Sequence, residues 1–581
     1  MQLLQHFKEL TIRPKNTKEL KGLIIRLALR GNLTENWRKE NLQIRHASEL
    51  LEDIQDEKAL LIEKRKLRPK KVSEIEVTQD MKYAIPKSWA WYNFSEVAFF
   101  QEGPGIRKWQ YRETGVKLLN VRNVVGHNLV LDNTTLHVER EEFEQKYEHF
   151  KVEEGDLLFA SSGGSWGKSA WFINPGYDVM LNTSMVRMCF YSKSWYPDYL
   201  KTFVSSGFFV DQMSEQLVGI QPNFGSTHLS RIYIPIPPLE EQKEIVKVVE
   251  TLFKEVEQLE QLTEERIGLK EDFVSSALNQ LTTKNANQEW TFLQDHFKSF
   301  FNETRNIKKL RETVLQLAVQ GKLTADWRAN NPETEDASIL LKRIQKEKVQ
   351  LIKEKKIKKE KALPKITREE IPYELPEGWV WCRLNDVCEY IQRGKSPKYT
   401  EDPKNPVISQ KCVQWTGFDI SRARFITEES LEKYGSERFL QKGDLLWNST
   451  GNGTIGRVIS YPGSDFKKVV ADSHVTVVRA FKEFVSTDYL WIFTASPLIQ
   501  ELVAGRVSGS TNQTELGTGT VKLMEFSFPP LEEQKAIVQK VNALMGLCDS
   551  LVQEVKQSQE QIAQLMQSCL REVFEGQKEV S

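Results

Sequence analysis

The chain contains two copies of one long sequence pattern. The heptapeptide Pro-Pro-Leu-Glu-Glu-Gln-Lys at 237–243 recurs at 529–535, an offset of 292 residues. Leu-Ala-Leu-Arg-Gly-Asn-Leu-Thr-Glu-Asn-Trp at 27–37 is likewise matched by Leu-Ala-Val-Gln-Gly-Lys-Leu-Thr-Ala-Asp-Trp at 317–327. Such a spacing far exceeds the period of a solenoid repeat. It therefore predicts one whole architecture built twice, with two equivalent functional places.

Composition limits the class of protein. With 581 residues, 40% of them hydrophobic, the chain can bury several cores. No apolar run approaches the roughly 20 residues of a membrane span, and residues 1–10 lack a signal-peptide pattern, so we expect a cytoplasmic protein with no membrane partner. Six cysteines without a Cys-x-x-Cys pair and eight scattered histidines favour reduced packing residues and no metal site.

Each copy divides into a helical segment, a globular segment and a long helix. The predicted boundaries are an N-terminal helical region at 1–84, globular domains at 85–236 and 375–528, a central helical region at 237–374 and a C-terminal helix at 529–581. Apolar residues at three- and four-residue spacing predict helices at 20–30, 47–66, 307–319 and 338–353. Short β-rich runs between turn residues predict a mixed α/β fold for the globular domains.

The segments after Pro-Pro-Leu-Glu-Glu-Gln are each predicted to form one long helix. Prolines followed by acidic residues suit a helix N-terminus, whose unpaired N–H groups favour negative charge. Apolar residues then alternate at four and three positions, which is the pattern of a coiled-coil seam: Ile245, Val249, Leu252, Val256 and Leu259 in the first copy, and Ile537, Val541, Leu544, Cys548, Leu551, Val555, Ile562 and Leu565 in the second. We expect the two helices to pack on each other, antiparallel, as a rod of roughly 60 Å that separates the globular domains.

Basic and polar clusters occupy corresponding parts of the two globular domains. They suit contacts with phosphates and base edges, although charge alone equally fits a solvated surface. In the first domain they are Arg107, Lys108, Arg112, Lys117, Arg122, Ser161, Ser162, Ser165, Lys168, Gln221, Asn223, Thr227 and His228. In the second they are Arg393, Lys395, Lys398, Lys404, Lys411, Asn448, Ser449, Thr450, Asn452, Thr454, Arg457, Ser508, Ser510, Thr511, Asn512, Gln513 and Thr514.

An enzymatic alternative rests on Ser-Gly-Gly-Ser-Trp-Gly-Lys-Ser at 162–169. This segment differs by one residue from a nucleotide-binding Walker A loop, which requires glycine in place of Ser162. A phosphate-binding loop opens a helix, whereas residues 170–173 read as a strand. The corresponding segment of the second copy, at 451–458, also lacks the Lys-Ser pair. We predict no catalytic residue on this chain, while an NTPase and a purely protein-binding adaptor remain as alternatives.

Taken together, these motifs resemble the specificity subunit of a type I restriction-modification system. The resemblance rests on two divergent globular domains that open near Trp89 and Trp379, carry Gly-Asp-Leu-Leu at 155–158 and 443–446, and end in Pro-Pro-Leu-Glu-Glu-Gln before a long helix. The second domain also carries Gly-Asn-Gly-Thr-Ile-Gly at 451–456, from which the first departs with Gly-Gly-Ser-Trp-Gly. The resemblance covers nearly the whole chain.

The resemblance implies a function and a set of partners. Each globular domain would be a target recognition domain that reads one half of a split double-stranded DNA sequence, and the paired helices would set the spacing between the halves. Two methyltransferase subunits, which bind S-adenosylmethionine, and ATP-dependent restriction subunits with Mg²⁺ would assemble on the chain. The chain itself would carry no cofactor.

Overall fold

The computed structural model of the chain describes residues 14–64, 83–126, 128–162, 168–192, 195–216, 224–283, 288–451, 453–506 and 515–575. The described residues divide into two compact units, one within residues 1–266 and 567–581 and one within residues 267–566. Within the described ranges, none of the helices combines the length and the apolar character that crossing a membrane requires.

The first unit is an α/β structure that follows a helical segment. Its helices are α1 (Pro14–Leu29), α2 (Glu35–Glu40), α3 (Ala47–Lys64), α4 (Phe94–Val97), α5 (Arg140–Glu142), α6 (Pro197–Val204), α7 (Gly207–Gln216), α8 (Ser226–Leu229) and the first part of α9 (Leu239–Thr283). Its strands are β1 (Ala90–Asn93), β2 (Ala98–Glu102), β3 (Tyr111–Arg112), β4 (Val116–Leu119), β5 (Val124–Val125), β6 (Asn128–Leu129), β7 (His137–Val138), β8 (Leu157–Ala160), β9 (Ser169–Trp171), β10 (Val179–Leu181), β11 (Met185–Phe190) and β12 (Tyr233–Ile236).

The second unit repeats the order of the strands and most of the helices, with the helices at Gln288–Asp295 and Phe297–Phe300 added before the repeat and a 3-10 helix at Leu384–Val387 in the place of α4. Its helices are the end of α9, then α10 (Gln288–Asp295), α11 (Phe297–Phe300), α12 (Thr304–Val319), α13 (Ala325–Asn330), α14 (Ala337–Lys353), α15 (Glu428–Leu431), α16 (Thr487–Ala495), α17 (Pro497–Arg506), α18 (Thr518–Leu523) and most of α19 (Leu531–Glu575). Its strands are β13 (Val380–Arg383), β14 (Cys388–Arg393), β15 (Tyr399–Thr400), β16 (Pro406–Ile408), β17 (Val413–Gln414), β18 (Gly417–Phe418), β19 (Arg424–Ile426), β20 (Leu445–Asn448), β21 (Val458–Ser460), β22 (Val470–Ala471), β23 (Val475–Ala480) and β24 (Glu525–Phe528).

The sheets confirm the duplication predicted from the sequence. One four-stranded sheet has the order β2-β11-β8-β9 in the first unit and β14-β23-β20-β21 in the second. The other has the order β10-β4-β7-β3 in the first unit and β22-β16-β19-β15 in the second. A two-stranded pair joins the start and the end of each domain, β1 with β12 and β13 with β24. The mixed α/β prediction is correct, while the five predicted domain boundaries stay a prediction.

The Gly-Asp-Leu-Leu motif brings a buried carboxylate into each domain. In the second domain, Asp444 accepts two hydrogen bonds from Arg479, Nε to Oδ1 at 2.8 Å and Nη2 to Oδ2 at 2.7 Å, and both residues are buried. In the first domain, Arg187 lies 3.5 Å from Asp156. A buried charge needs such a partner because the interior solvates it poorly. The two leucines that follow are core residues of β8 and β20.

One long helix follows each Pro-Pro-Leu-Glu-Glu-Gln motif, as the sequence predicts, and each of the two contains 45 residues. Their seams do more than pair helix with helix. In the second unit, Ile537 and Val541 of α19 lie in the same core as Val314 of α12, so the start of the helix packs on its own domain. Farther along, Cys548 and Val555 share a hydrophobic cluster with Val274 of α9. The seam therefore changes partners along its length.

The second glutamate of Pro-Pro-Leu-Glu-Glu-Gln is buried in both copies. In the first, Glu241 Oε1 accepts hydrogen bonds from Thr34 Oγ1, at 2.7 Å, and from Arg38 Nη1. Its Oε2 accepts from Trp89 Nε1 at 2.8 Å. The helical segment, the globular domain and the long helix thus meet at one carboxylate. We call these four residues the first glutamate node.

The second glutamate node has the same geometry. Glu533 Oε1 accepts from Thr324 Oγ1, at 2.7 Å, and from Arg328 Nη1, and Oε2 accepts from Trp379 Nε1 at 2.8 Å. Glu533 is 1% exposed, so the hydrogen bonds replace its hydration. The sequence indicated only a first-turn acid here, since nothing in its spacing distinguishes Glu533 from the exposed Glu532.

Replacing Glu533 with alanine should destabilise the second unit strongly. The change leaves the donors of buried Thr324 and Trp379 and of half-buried Arg328 without their acceptor. Loss of one partner of a buried pair costs about 3–5 kcal/mol. Thermal unfolding followed by calorimetry should show the transition of this unit at a clearly lower temperature. Glu532→Ala, at the exposed neighbouring position, is the matched control. Equal effects of the two substitutions would contradict the assigned role of the node.

Candidate nucleic-acid interface

In the second unit, several loops meet at one end of the β14-β23-β20-β21 sheet. The Ser449 N–H donates to His474 O at 2.9 Å, and the Leu516 N–H donates to Ser449 O at 2.8 Å. The Gly394 N–H donates to Val475 O at 3.0 Å. Backbone hydrogen bonds therefore hold the loop after β20, the turn between β22 and β23, and the end of β14 side by side. We call this region the second polar edge.

The described residues of the glycine-rich loop after β20, and Arg457 that follows them, contact Gln410 and the β17–β18 hairpin. Thr454 Oγ1 donates to Gln410 Oε1 at 3.0 Å. Arg457 donates from Nη1 to Gln414 Oε1 at 2.5 Å and from Nη2 to Gly453 O at 2.7 Å. Gly456 has a φ of +86°, a conformation that favours glycine. The loop and the β17–β18 hairpin thus present amide and guanidinium groups together.

Three candidate residues are too deeply buried to contact a ligand directly. Ser161, Asn448 and Ser449 are at most 3% exposed. Asn448 Nδ2 donates to Gln410 O at 3.1 Å, and the hydroxyls of Ser449 and Thr476 are hydrogen-bonded to each other. The prediction that these three side chains reach base edges is corrected, because all three are buried. Asn448 is the last residue of β20, and Ser161 and Ser449 directly follow β8 and β20, where they shape the start of each loop.

The other candidates of the second domain lie at or near the surface. Thr450 Oγ1 is 2.6 Å from His474 Nδ1. The guanidinium of Arg393 is paired with Glu515, and Lys395 Nζ donates to Lys433 O at 3.1 Å. Lys398 and Lys411 are exposed. The structure thus brings Arg393, Thr450, Thr454 and Arg457 to the second polar edge.

The first unit has an equivalent edge. The Ser161 N–H donates to Ser184 O at 2.9 Å, and the Phe224 N–H donates to Ser161 O at 3.1 Å, repeating the pattern of Ser449. Near this first polar edge, Thr227 is exposed, Ser162 is half-buried, and His228 Nδ1 accepts from the Gly225 N–H at 3.1 Å. Lys168 is also exposed.

The basic cluster near the start of the first domain is mostly exposed. Arg107, Lys108, Arg112 and Arg122 are solvent-accessible, and Arg112 Nη2 lies 3.4 Å from Glu139. Lys117 is the exception, because it is 6% exposed and its Nζ donates to Thr134 O inside the domain. The proposal of Lys117 as a surface cation is therefore wrong. Strand β4 points it inward.

Other candidates lie outside the described residues. They are Ser165, Gln221, Asn223, Asn452, Ser508, Ser510, Thr511, Asn512, Gln513 and Thr514.

The element that follows residues 162–168 argues against the nucleotide-binding alternative, because it is a strand and not a helix. Residues 169–171 form strand β9, which pairs with β8. A phosphate loop needs a helix N-terminus at this place, where free N–H groups meet the phosphates. Within the described ranges, the structure also contains no group of three or more His, Cys, Asp or Glu side chains arranged to hold a metal ion.

Sequence reasoning missed three polar residues of the second polar edge. Gln410 contacts Thr454 of the glycine-rich loop, Gln414 contacts Arg457 just after it, and His474 contacts Thr450. None of these three residues belongs to a charged cluster, and none has an identical residue at the corresponding position of the other copy. Only the folded structure therefore shows that they belong to the site.

Asp472, two residues before His474, is a buried ionisable group at this edge. Burial raises the pKa of its carboxyl, and the opposing influence of the His474 N–H and of Arg424 and Arg393 does not offset that burial. A carboxyl whose pKa is higher in the folded than in the unfolded state binds its proton more tightly when folded. Its contribution to stability therefore falls as pH rises from its ordinary pKa through the raised value.

Asp472→Asn should remove this pH dependence. The amide oxygen can still accept the hydrogen bond from the His474 N–H, which Asp472 Oδ1 accepts at 2.8 Å. We expect the unfolding temperature of the variant, minus that of the unchanged protein, to be greater at neutral pH than at acidic pH. Thermal unfolding at both pH values measures this difference. The exposed Asp465→Asn serves as control. A stability difference that does not vary with pH would contradict the raised pKa.

Comparison with known proteins agrees with the duplicated architecture. The model of the type I restriction modification DNA specificity domain matches twice, at residues 86–267 and 376–561. The chain is 25% identical over 561 residues to the Type I restriction enzyme EcoEI specificity subunit of Escherichia coli, covering 94% of this chain and 91% of that protein. It is 27% identical over 578 residues to the EcoAI specificity subunit of Escherichia coli, covering 94% and 92%.

Among solved structures, the HsdS subunit from Thermoanaerobacter tengcongensis matches with 15% identity and a TM-score of 0.39, over 85% of this chain and 98% of that one. The family match extends over most of the sequence and falls on both copies of the repeat. The chain therefore belongs to the type I restriction-modification DNA specificity family.

Proposed function

We propose that each globular domain of this DNA specificity protein reads one half of a split DNA target. The observation that supports this most directly is the pair of polar edges. They share strand order and backbone hydrogen bonds, yet their side chains differ, as Ser184 in one domain stands where His474 stands in the other. One scaffold with two sets of side chains suits two different half-sequences.

The chemistry of the second polar edge fits a DNA groove. Arginine and glutamine can each make two hydrogen bonds to one base, arginine to guanine and glutamine to adenine. Arg457 and Gln414 lie within hydrogen-bonding distance of each other, and exposed Lys411 stands nearby in sequence to meet a phosphate. Trp415, which is 50% exposed in the adjoining turn, adds apolar surface for a thymine methyl group.

The long helices would set the separation of the two half-sites. A helix of 45 residues spans roughly 67 Å at about 1.5 Å per residue. Half-sites one turn of DNA apart are separated by about 34–36 Å, which is well within that length.

Catalysis would belong to other subunits. The EcoEI and EcoAI relatives are named as specificity subunits. By analogy, this chain would be non-catalytic and would recruit two methyltransferase subunits, which carry S-adenosylmethionine, and restriction subunits, which use ATP and Mg²⁺. All of them would act in the cytoplasm on double-stranded DNA.

Mapping of methylated adenines tests this function. The chain would be co-expressed with the methyltransferase subunit of its own system in a host without other methyltransferases, and the genome sequenced for modified bases. We expect one motif made of two short sequences separated by a fixed gap. A continuous motif, or methylation that does not depend on the chain, would refute the split-target function, and the second of these results would favour an adaptor.

Arg457→Ala should weaken recognition in one half of that motif. Loss of a base contact by two hydrogen bonds costs about 1–3 kcal/mol of discrimination. In binding assays with the assembled complex, DNA altered in the half-site read by the second domain should then compete better, while complex assembly on a sizing column stays unchanged. Lys442→Ala, at the opposite end of β20, is the control. Equal target selection by both variants would exclude Arg457 from recognition.

A further inference from the structure

The two domains carry opposite charges at one equivalent position. Glu102, the last residue of β2, pairs with Val186, and Arg393, the last residue of β14, pairs with Thr476. The Gly-Asp-Leu-Leu motifs fix the correspondence. In the first domain, the first leucine of the motif, Leu157, pairs with Met188, two residues after Val186. In the second domain, Leu445 pairs with Val478, two residues after Thr476.

The glycine after each charged residue confirms that the backbones coincide. The Gly103 N–H donates to Met185 O at 3.1 Å, as the Gly394 N–H donates to Val475 O. A Cβ on Gly103 would lie 2.1 Å from the carbonyl oxygen of Asn182, and one on Gly394 would lie 2.2 Å from that of Asp472. This close approach admits only glycine and fixes where the preceding side chain leaves the strand. The backbone position is therefore the same in both domains, whereas the side chain that it carries is a glutamate in one and an arginine in the other.

Glu102 is an exposed carboxylate at the first polar edge. Its Oε1 accepts from the Ser226 N–H at 2.6 Å and from Ser226 Oγ at 2.9 Å, which places it beside Thr227 and His228. Within the described part of the chain, Oε2 makes no hydrogen bond. A carboxylate that faces DNA is repelled by phosphates, but it can accept a hydrogen bond from the amino group of cytosine.

Arg393 has the complementary chemistry at the second polar edge. Its Nη1 is paired with Glu515 and its Nη2 donates to Ser449 O at 3.4 Å, so the guanidinium is oriented from two sides. Its side chain remains 24% exposed. An oriented guanidinium is the usual partner of guanine, whose O6 and N7 both accept hydrogen bonds.

We propose that this position determines base preference in both domains, Glu102 by accepting from the amino group of a cytosine and Arg393 by donating to a guanine. The proposal rests on the split-target function above. It adds which residue reads a base in each half-site and which base that residue favours.

Two conservative variants separate base reading from a structural role. Glu102→Gln keeps an oxygen to accept from Ser226 but loses the negative charge and gains an amide donor, which suits adenine. Arg393→Lys keeps a positive charge for Glu515 but loses the planar fork that binds guanine. Glu154→Gln, at the far end of the first domain's β8, and Arg343→Lys, in α14, are the matched controls.

The test is the methylation motif of the assembled complex with each variant. We expect Glu102→Gln to reduce discrimination at one position of one half-site by about 5- to 150-fold, and Arg393→Lys to do the same at one position of the other half-site. Both controls should keep the original motif. An unchanged half-site overturns the assignment of its residue, and so does a uniform loss of methylation that leaves base preference intact, since that indicates folding or assembly.

Failure of this proposal can be told from failure of the proposed function. If the unchanged protein directs methylation to a split motif and the variants leave that motif unaltered, only the assignment of Glu102 and Arg393 is wrong. If the unchanged protein yields no split motif, the function itself is refuted before any variant is examined.

Discussion

A buried carboxylate in each copy joins the parts on which the rest of the structure depends. Glu241 and Glu533 each accept from a threonine and an arginine of the helical segment and from a tryptophan at the start of the globular domain. Removing such a charge from water is unfavourable unless every lone pair is well placed. The geometry is therefore specific: a shift of the helical segment, the domain or the long helix would leave a buried polar group without its partner.

The polar edges are formed by other residues of the chain, and burial constrains their side chains less than it constrains those of the nodes. At a node, burial makes side-chain identity costly to change, and the two copies agree residue by residue. At an edge, backbone hydrogen bonds to Ser161 and Ser449 fix the loops, while the neighbouring polar side chains are half-buried or exposed. Exposed substitutions usually have small effects on stability. Divergence at the edges is thus tolerated by the fold, and it is the expected sign of separate recognition.

Much of the fold could be predicted because it follows from local pattern. Helices α12 and α14, at Thr304–Val319 and Ala337–Lys353, begin and end within three residues of the segments indicated by apolar spacing. The site was less predictable. The sequence does not show that Lys117 points inward or that Asn448 is buried, because pleating and loop closure decide the direction of each side chain. Gln410 belongs to the site because of its contact with Thr454, which is 44 residues away in the sequence.

The agreement of the two glutamate nodes also bears on inheritance. Their glutamates stand within the two identical amino-acid stretches Pro-Pro-Leu-Glu-Glu-Gln-Lys. A crossover that joined one copy to the other within this shared stretch would still place a glutamate after the threonine, arginine and tryptophan of the copy before it. The product would gain or lose one whole copy of the repeat, and each node that it kept would have all four residues. The number of domains could therefore change in a single event without leaving a node incomplete.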